Sequence, residues 1–326
     1  MNIAFAGFRH DHIFSLYTAV KEHPELTVVG GWEEQPEHAE EAKKTFEEPF
    51  YDSYEALLAD PKVDIVAIGD YYGIRGARVL QALRAGKAVI TDKPLCTSLE
   101  ELDEIEKISR ETNIPVGIQL ELRDHAALQK AEKIIRSGEL GEIRSVTFTA
   151  QHPLNYGVRP GWYFEEGKHG GTFNDIAIHA MDALTWMTGY AYDKTLFARQ
   201  WNDYATAEPQ FKDSAQFNGL LENGAAVMAD VSYAAPTAGF SLPSYWRFTL
   251  WGTKGYIECR VGMSTITVAS GDDKTPRIVE ADEPVKRALD GFLKEVKEGI
   301  SGENTAGCIA ASRAALSLQR YADEQR

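Results

Sequence analysis

A chain of 326 residues is long enough for about two domains with separate cores, at roughly 100–200 residues per domain, which excludes a lone small module. Its 44% hydrophobic and 25% charged residues are the composition of a folded globular protein, not a disordered one. With 34 Lys and Arg against 49 Asp and Glu, the formal charge of −15 repels phosphate backbones and anionic headgroups, so neither nucleic acid nor a membrane surface is an expected partner.

In chain order, short β-rich runs alternate with amphipathic stretches. Strand Asn2–Gly7 leads to helix Asp11–Glu22, strand Leu26–Trp32 to helix Pro36–Phe46, and strand Asp64–Gly69 to helix Gly73–Ala85. Strand Ala88–Thr91, helix Ser98–Thr112 and strand Pro115–Gln119 follow, with Ser98 and Glu101 spaced as a capping box. Such alternation predicts an α/β domain with a doubly wound parallel sheet over residues 1–120. The acidic cluster from Glu33 to Glu48 reads as a solvated helix face.

Beyond residue 120 the pattern changes. Helix Asp124–Arg136 stops at Gly138, strand Glu142–Ala150 follows, and a helix near Asp175–Met187 precedes mostly strand-like segments from Asp193 to Val279. These include Ala215–Leu221, Ala225–Tyr233, Trp246–Trp251, Tyr256–Arg260 and Ser264–Ala269, joined by turns such as Glu222-Asn223-Gly224. Helices Val285–Glu298 and Ala306–Glu324 complete an α+β domain, residues 121–326, with a large, mostly antiparallel sheet. Three cysteines, Cys96, Cys259 and Cys308, have no metal-ligand spacing, so neither a disulfide framework nor a zinc site is expected. Arg9, His10 and Asp11 interrupt the first apolar run and no stretch of 18 apolar residues occurs, which makes the cytoplasm the expected compartment.

Three places could carry chemistry. Strand one ends in Gly7-Phe8-Arg9-His10-Asp11-His12 and runs into a helix, where a dinucleotide fold sets pyrophosphate against a helix N-terminus. Of the G-x-G-x-x-G pattern only the first glycine is present, with Arg9 second and His12 third; Arg9 can offer its guanidinium fork to phosphate. Glu33, at the end of strand two, is placed to accept from ribose hydroxyls and to repel a 2′-phosphate, favouring NAD over NADP. Lys93, in Asp92-Lys93-Pro94, sits at a carboxyl strand end, and Pro94 restricts its backbone. In the third place, Asp175, His179 and Asp182 are spaced by four and three, on one face of an otherwise apolar helix. A carboxylate and an imidazole so placed can act as an acid–base pair.

Taken together, the Gly7 turn, Asp92-Lys93-Pro94, Gly138-Glu139-Leu140-Gly141-Glu142-Ile143, the helix after Gly170-Gly171 and Trp251-Gly252-Thr253-Lys254-Gly255 stand in a familiar order. The chain resembles the glucose–fructose oxidoreductase, inositol dehydrogenase and MocA family over nearly its whole length. That resemblance implies an N-terminal Rossmann domain, a C-terminal open sheet often used for homo-oligomerisation, a nicotinamide cofactor, and catalytic positions at Lys93, Asp175 and His179. It departs from the family where Asp92 replaces glutamate and where Asp70-Tyr71-Tyr72 ends strand three.

The expected function is therefore NAD-dependent hydride transfer at a secondary alcohol of a sugar, cyclitol or related polyol. His179 is the expected base and Lys93 the donor to the reacting oxygen, their roles exchangeable, with Asp175 orienting the substrate. The expected site is a cleft between the domains. Gly7, Phe8, Arg9, His10, Glu33, Asp70 and Lys93 are expected at the cofactor, and Arg123, Arg159, Trp162 and Tyr163 at the substrate beside the catalytic residues. No metal is expected, and His10 and His12 are expected to be structural. An alternative takes His10-Asp11-His12 as the metal-binding HxH of an amidohydrolase barrel, completed by Lys93, His152 and His179; eight βα units would be required. Two further alternatives keep the fold: a non-catalytic NAD-binding sensor or scaffold, and NAD-assisted glycoside hydrolysis.

Overall fold

The computed structural model describes residues 1–236, 246–285 and 289–325. It divides into two compact units, the first comprising Met1–Gln119, Pro160–Gly170 and Leu289–Ile309, the second Leu120–Arg159, Gly171–Ala288 and Ala310–Arg326. Two stretches beyond residue 120 thus return to the first unit.

In the first unit, β1 (Asn2–Ala6), α1 (His12–Glu22), β2 (Thr27–Trp32), α2 (Pro36–Ala42), α3 (Tyr54–Ala59), β3 (Ile65–Ile68), α4 (Tyr72–Arg84), β4 (Ala88–Asp92), α5 (Leu99–Thr112) and β5 (Val116–Gln119) follow one another. The strands lie in the order β2-β1-β3-β4-β5, all parallel. Because β2 lies on one side of β1 and β3 on the other, the connections diverge beyond the carboxyl ends of β1 and β3, where such sheets bind ligands. The apolar runs Ile65–Ile68 and Ala88–Asp92 are buried throughout, as central strands covered on both faces must be. Ile3, Phe5, Ile13, Leu16, Val20 and Phe46 form one core cluster with Phe292 and Leu293. Ser98 caps α5 by accepting from the Glu101 amide at 3.1 Å, as the capping spacing predicts.

The second unit holds α6 (Ala126–Arg136), β6 (Ile143–Pro153), α7 (Ile178–Thr188), β7 (Tyr192–Trp201), β8 (Ser214–Leu221), β9 (Ala226–Ala235), β10 (Trp246–Gly252), β11 (Gly255–Arg260), β12 (Thr265–Ser270) and β13 (Arg277–Glu280). Eight strands form one open sheet, β13-β12-β11-β10-β6-β9-β8-β7, antiparallel except for the β6–β9 pair. Strand periodicity sorts its two faces: Val227, Ala229 and Val231 point inward, while Met228 between them is exposed. Helix α6 turns Ala127, Leu128, Ala131 and Ile135 inward and packs against α7, β11 and β12. The last helices are α8 (Asp290–Glu298) and α9 (Glu303–Glu324).

The short α3 has no counterpart in the sequence reading, and two further elements differ from it. The single helix expected near 175–187 is a π-helical turn, Phe173–Ala177, followed by α7. Asp175 and His179 therefore straddle a change of helical pitch, and the regular one-face stripe does not hold for them. The helix expected from Val285 begins at Asp290; residues 286–288 of that expectation lie outside the described residues. Among the described residues, no helix is long and apolar enough to cross a membrane.

Candidate cofactor and catalytic site

The β1–α1 turn rests on Gly7, whose φ of +76° and close approach to β3 exclude a side chain: a Cβ there would lie 2.7 Å from the Asp70 amide nitrogen. Past the turn, Glu33 at the end of β2 accepts from the Phe8 amide at 2.7 Å, the Arg9 Nε at 2.9 Å and the Gln35 amide at 3.0 Å. Arg9 lies 3.9 Å from Asp70 and 3.8 Å from Glu34, and Arg78 lies 3.8 Å from Asp70 and 3.4 Å from Glu34, so five charges meet in a space where Arg9, Glu33 and Asp70 are buried. Burial opposes the Arg9 charge, but Glu33 and Asp70 outweigh it and raise the guanidinium pKa. Asp70 is pushed up by burial, against the pull of Arg9. Arg9 is thus neither a surface residue nor a free fork; its buried Nη2 has no hydrogen-bond partner among the described residues. An orphaned cationic donor beside a side-chain-free turn fits an anionic pyrophosphate, so the residues present suit a dinucleotide.

Lys93 follows β4 and is buried, its Nζ donating to the Tyr72 hydroxyl at 3.2 Å; the Lys93–Pro94 peptide is cis. The Tyr72 oxygen lies 2.6 Å from the Tyr163 hydroxyl and 3.0 Å from His10 Nε2, which is also 3.1 Å from Tyr163. On the other edge of the ring, His10 Nδ1 is 2.5 Å from Asp92 Oδ2. Burial pushes the His10 imidazole down to about 3 despite Asp92. Burial alone would raise Asp92; His10 and the Arg75 guanidinium hold it well below the usual carboxylate range. Arg75, fully buried in α4, donates to Asp92 Oδ2 at 3.0 Å and to the carbonyls of Asp70, Asp92, Lys93 and Pro94. It is the fixed post around which the end of β4 is wound. His10, His12 and Asp92 present donor atoms within 4.8 Å of one another, and Arg75 pairs with the same Asp92 carboxylate.

Trp162 and Tyr163, expected at a substrate, lie in the first unit against this cluster. The Trp162 indole donates to the Arg9 carbonyl at 3.1 Å, and its ring meets Tyr72 edge-on. The Gly73 amide donates to the Lys168 carbonyl at 2.9 Å, and a Cβ on Gly73 would strike the Gly167 carbonyl.

In the second unit, the Tyr233 hydroxyl donates to the buried Asp175 carboxylate in a short hydrogen bond. Arg159 lies over the Tyr233 ring at 5.6 Å and donates to the carbonyls of Leu154 and Pro153. Arg123 holds Asp182 in a two-point ion pair, against which burial still raises the Asp182 carboxyl. His179 packs edge-on against Trp246 at 5.3 Å. Asp175 and Asp182, read as one stripe with His179, thus have separate partners.

Sequence reasoning missed Arg75 and Tyr233, and read Tyr72 only as a departure at the end of strand three. None carries a local signal: a lone arginine in a helix and a tyrosine in a strand are ordinary in sequence. The amidohydrolase alternative fails on architecture, because one sheet has five parallel strands and the other is an open, mostly antiparallel sheet, where eight βα units would be needed.

Residues 1–119 match the family model described as oxidoreductase family, NAD-binding Rossmann fold, and residues 128–258 match the GFO/IDH/MocA C-terminal domain. The uncharacterized oxidoreductase sll0816 of Synechocystis is 27% identical over 176 residues, 53% of this chain and 47% of that protein. The 1,5-anhydro-D-fructose reductase of Ensifer adhaerens is 31% identical over 137 residues, 41% of this chain and 40% of that protein. Less than half of each is therefore spanned, whereas the dehydrogenase aclE of Aspergillus oryzae is 25% identical over 86% of this chain and 90% of its own. Among solved structures, one from Erwinia carotovora atroseptica superposes with a TM-score of 0.89 at 25% identity, covering 99% of this chain and 98% of that one. Levoglucosan dehydrogenase in complex with NADH and levoglucosan superposes at 0.81 and 19% identity, covering 100% and 98%, which shows a shared fold. With both domain models matched in order, and a first unit that is an NAD-binding Rossmann domain, this chain belongs to the GFO/IDH/MocA family of oxidoreductases.

Proposed function

We propose that this protein is an NAD-dependent dehydrogenase that transfers hydride between nicotinamide and a secondary alcohol carbon of a sugar, cyclitol or related polyol. The observation that carries the reading is Lys93: a buried amine at a carboxyl strand end of an NAD-binding sheet, fixed by Tyr72 and by the Arg75-bound turn. Relatives bearing the names D-xylose dehydrogenase, levoglucosan dehydrogenase and 1,5-anhydro-D-fructose reductase support a polyhydroxylated substrate.

In this reading Gly7, Phe8, Arg9, His10, Glu33 and Asp70 hold the dinucleotide. Gly7 admits the backbone to the pyrophosphate, the orphan Nη2 of Arg9 donates to it, and Glu33 faces the ribose. The bound cofactor supplies a hydride acceptor at nicotinamide C4. Lys93 donates to the reacting oxygen and stabilises charge developing there, His179 serves as base, and Asp175, set by Tyr233, orients the substrate; the roles of Lys93 and His179 are exchangeable. Arg123, Arg159, Trp162 and Tyr163 line the polyol's surroundings. Exposed Phe197 and Met228, both aligned with Asn218 on the open sheet, suit self-association of two copies through that face. The compartment in this reading is the cytoplasm.

The test is calorimetric titration with NAD and NADP, followed by assay of NADH formation with D-xylose and levoglucosan. The reading expects NAD to bind more tightly and at least one sugar to reduce it with a primary isotope effect from the deuterated carbinol. NAD binding without turnover on any polyol would leave a sensor instead.

A further inference from the structure

We propose that His10, His12 and Asp92 form a binding site for one divalent transition-metal ion, of which Zn²⁺ is the type, between the β1–α1 turn and the end of β4. The sequence reading takes both histidines as structural, and the dehydrogenase reading gives His12 no task. The inference goes beyond that reading, and ion binding alone tests it.

The three residues offer donor atoms that all lie within 4.8 Å of one another. His10 Nδ1 is 2.5 Å from Asp92 Oδ2, and His12 Nδ1 is 3.3 Å from Asp92 Oδ1. His10 and Asp92 are buried, yet His10 Nδ1 and Asp92 Oδ1 have no hydrogen-bond partner among the described residues. Buried polar atoms are nearly always satisfied, so two such atoms beside each other, one a ring nitrogen and one a carboxylate oxygen, point to a shared ligand. Both are metal-ligand atoms. Two imidazoles and one carboxylate are the donor set of zinc and ferrous sites that keep a further position open, whereas Mg²⁺ and Ca²⁺ favour all-oxygen surroundings.

The surroundings suit an ion as well. Nε2 of His10, the ring nitrogen away from Asp92, lies 3.0 Å from the Tyr72 hydroxyl and 3.1 Å from that of Tyr163, the kind of contact that orients a metal-binding imidazole. Arg75 donates to Asp92 Oδ2 at 3.0 Å, which fixes the carboxylate and leaves Oδ1 for the ion. A carboxylate shared with a guanidinium attracts a cation less, so binding should be weaker than at a closed structural zinc site. The His12 side chain is 46% exposed and gives the ion a way in. His12 is also the residue that replaces the third glycine of the pyrophosphate pattern, so the ion would tie the altered turn to β4.

The test is calorimetric titration of chelator-treated protein with Zn²⁺ alone, and with Co²⁺ read by visible absorption. Wild type should bind one equivalent of either, unaffected by excess Mg²⁺, and saturating Zn²⁺ should raise its melting temperature. His12→Ala and His12→Gln change a half-exposed side chain, and circular dichroism checks that both fold. Each should weaken Zn²⁺ by more than the roughly 10–100-fold that loss of a partner behind the ligands costs, and should abolish the Zn²⁺-dependent rise in melting temperature. No saturable binding to wild type, or wild-type affinity in both His12 variants, would overturn the site; the latter would place the ion on other histidines. Failure of every polyol to reduce NAD would sink the dehydrogenase reading and leave this result standing.

Discussion

Two corners of the same sheet edge are built on opposite principles. Over β1 and β2, the Arg9–Glu33–Asp70 corner is held by full charges, each against an opposite one. Over β3 and β4, the His10–Tyr72–Tyr163–Lys93 corner is joined by phenol and imidazole hydrogen bonds, with one ion pair, Arg75–Asp92, beneath it. Buried ion pairs fix geometry and are costly to break, while hydroxyl and imidazole links can pass a proton without moving heavy atoms. In the proposed reading the first corner holds the dinucleotide and the second carries the chemistry.

The comparison breaks most severely at its shared post. Arg75→Ala leaves the Asp92 carboxylate and four carbonyls without their donor, and should cost at least about 3–5 kcal/mol in denaturant unfolding. A loss below about 1 kcal/mol would mean that water replaces the guanidinium. Next, Glu33→Gln uncouples the charged corner and should cost about 2–4 kcal/mol, and it should narrow any preference for NAD over NADP in the same calorimetry. Unchanged stability together with unchanged preference would show that the corner is not locked by charge.

The neutral corner gives a pH signature. Burial holds His10 at about 3 against an ordinary 6.5. Between those values the unfolded chain carries a proton that the folded protein does not, so stability should fall as pH drops below 6.5, by about 1.4 kcal/mol per unit from this residue. His10→Gln should flatten that slope in unfolding curves taken between about pH 6 and pH 4.5. At the small end, Arg84→Ala removes an exposed pair with Glu104 and should change stability by less than about 0.5 kcal/mol; a larger effect would contradict the contrast between buried and surface charge.

Much of the first unit is legible in sequence because parallel strands buried on both faces read as apolar runs, and Ser98–Glu101 announces a helix start. The short α3 at Tyr54–Ala59 is not legible, since six residues carry too little periodicity. Neither is the π-helical turn at Phe173–Ala177, which keeps the composition of a helix while changing its pitch. Of the site, Gly7, Glu33 and Lys93 are visible through their places at strand ends. Arg9's pairing with Glu33, and Asp175's with Tyr233, join residues 24 and 58 positions apart and arise only from folding. Trp162 is legible as an aromatic near the site, but not its hydrogen bond to the carbonyl of Arg9.

Single-turnover rapid mixing of enzyme, NAD and D-xylose or levoglucosan, comparing wild type with Lys93→Ala, tests the dehydrogenase reading most directly. The account predicts preserved NAD affinity and a hydride step slowed by on the order of 10²–10³, the loss expected on removing one donor to a developing oxyanion. An unchanged rate of NADH formation, or a loss confined to NAD binding, would contradict it.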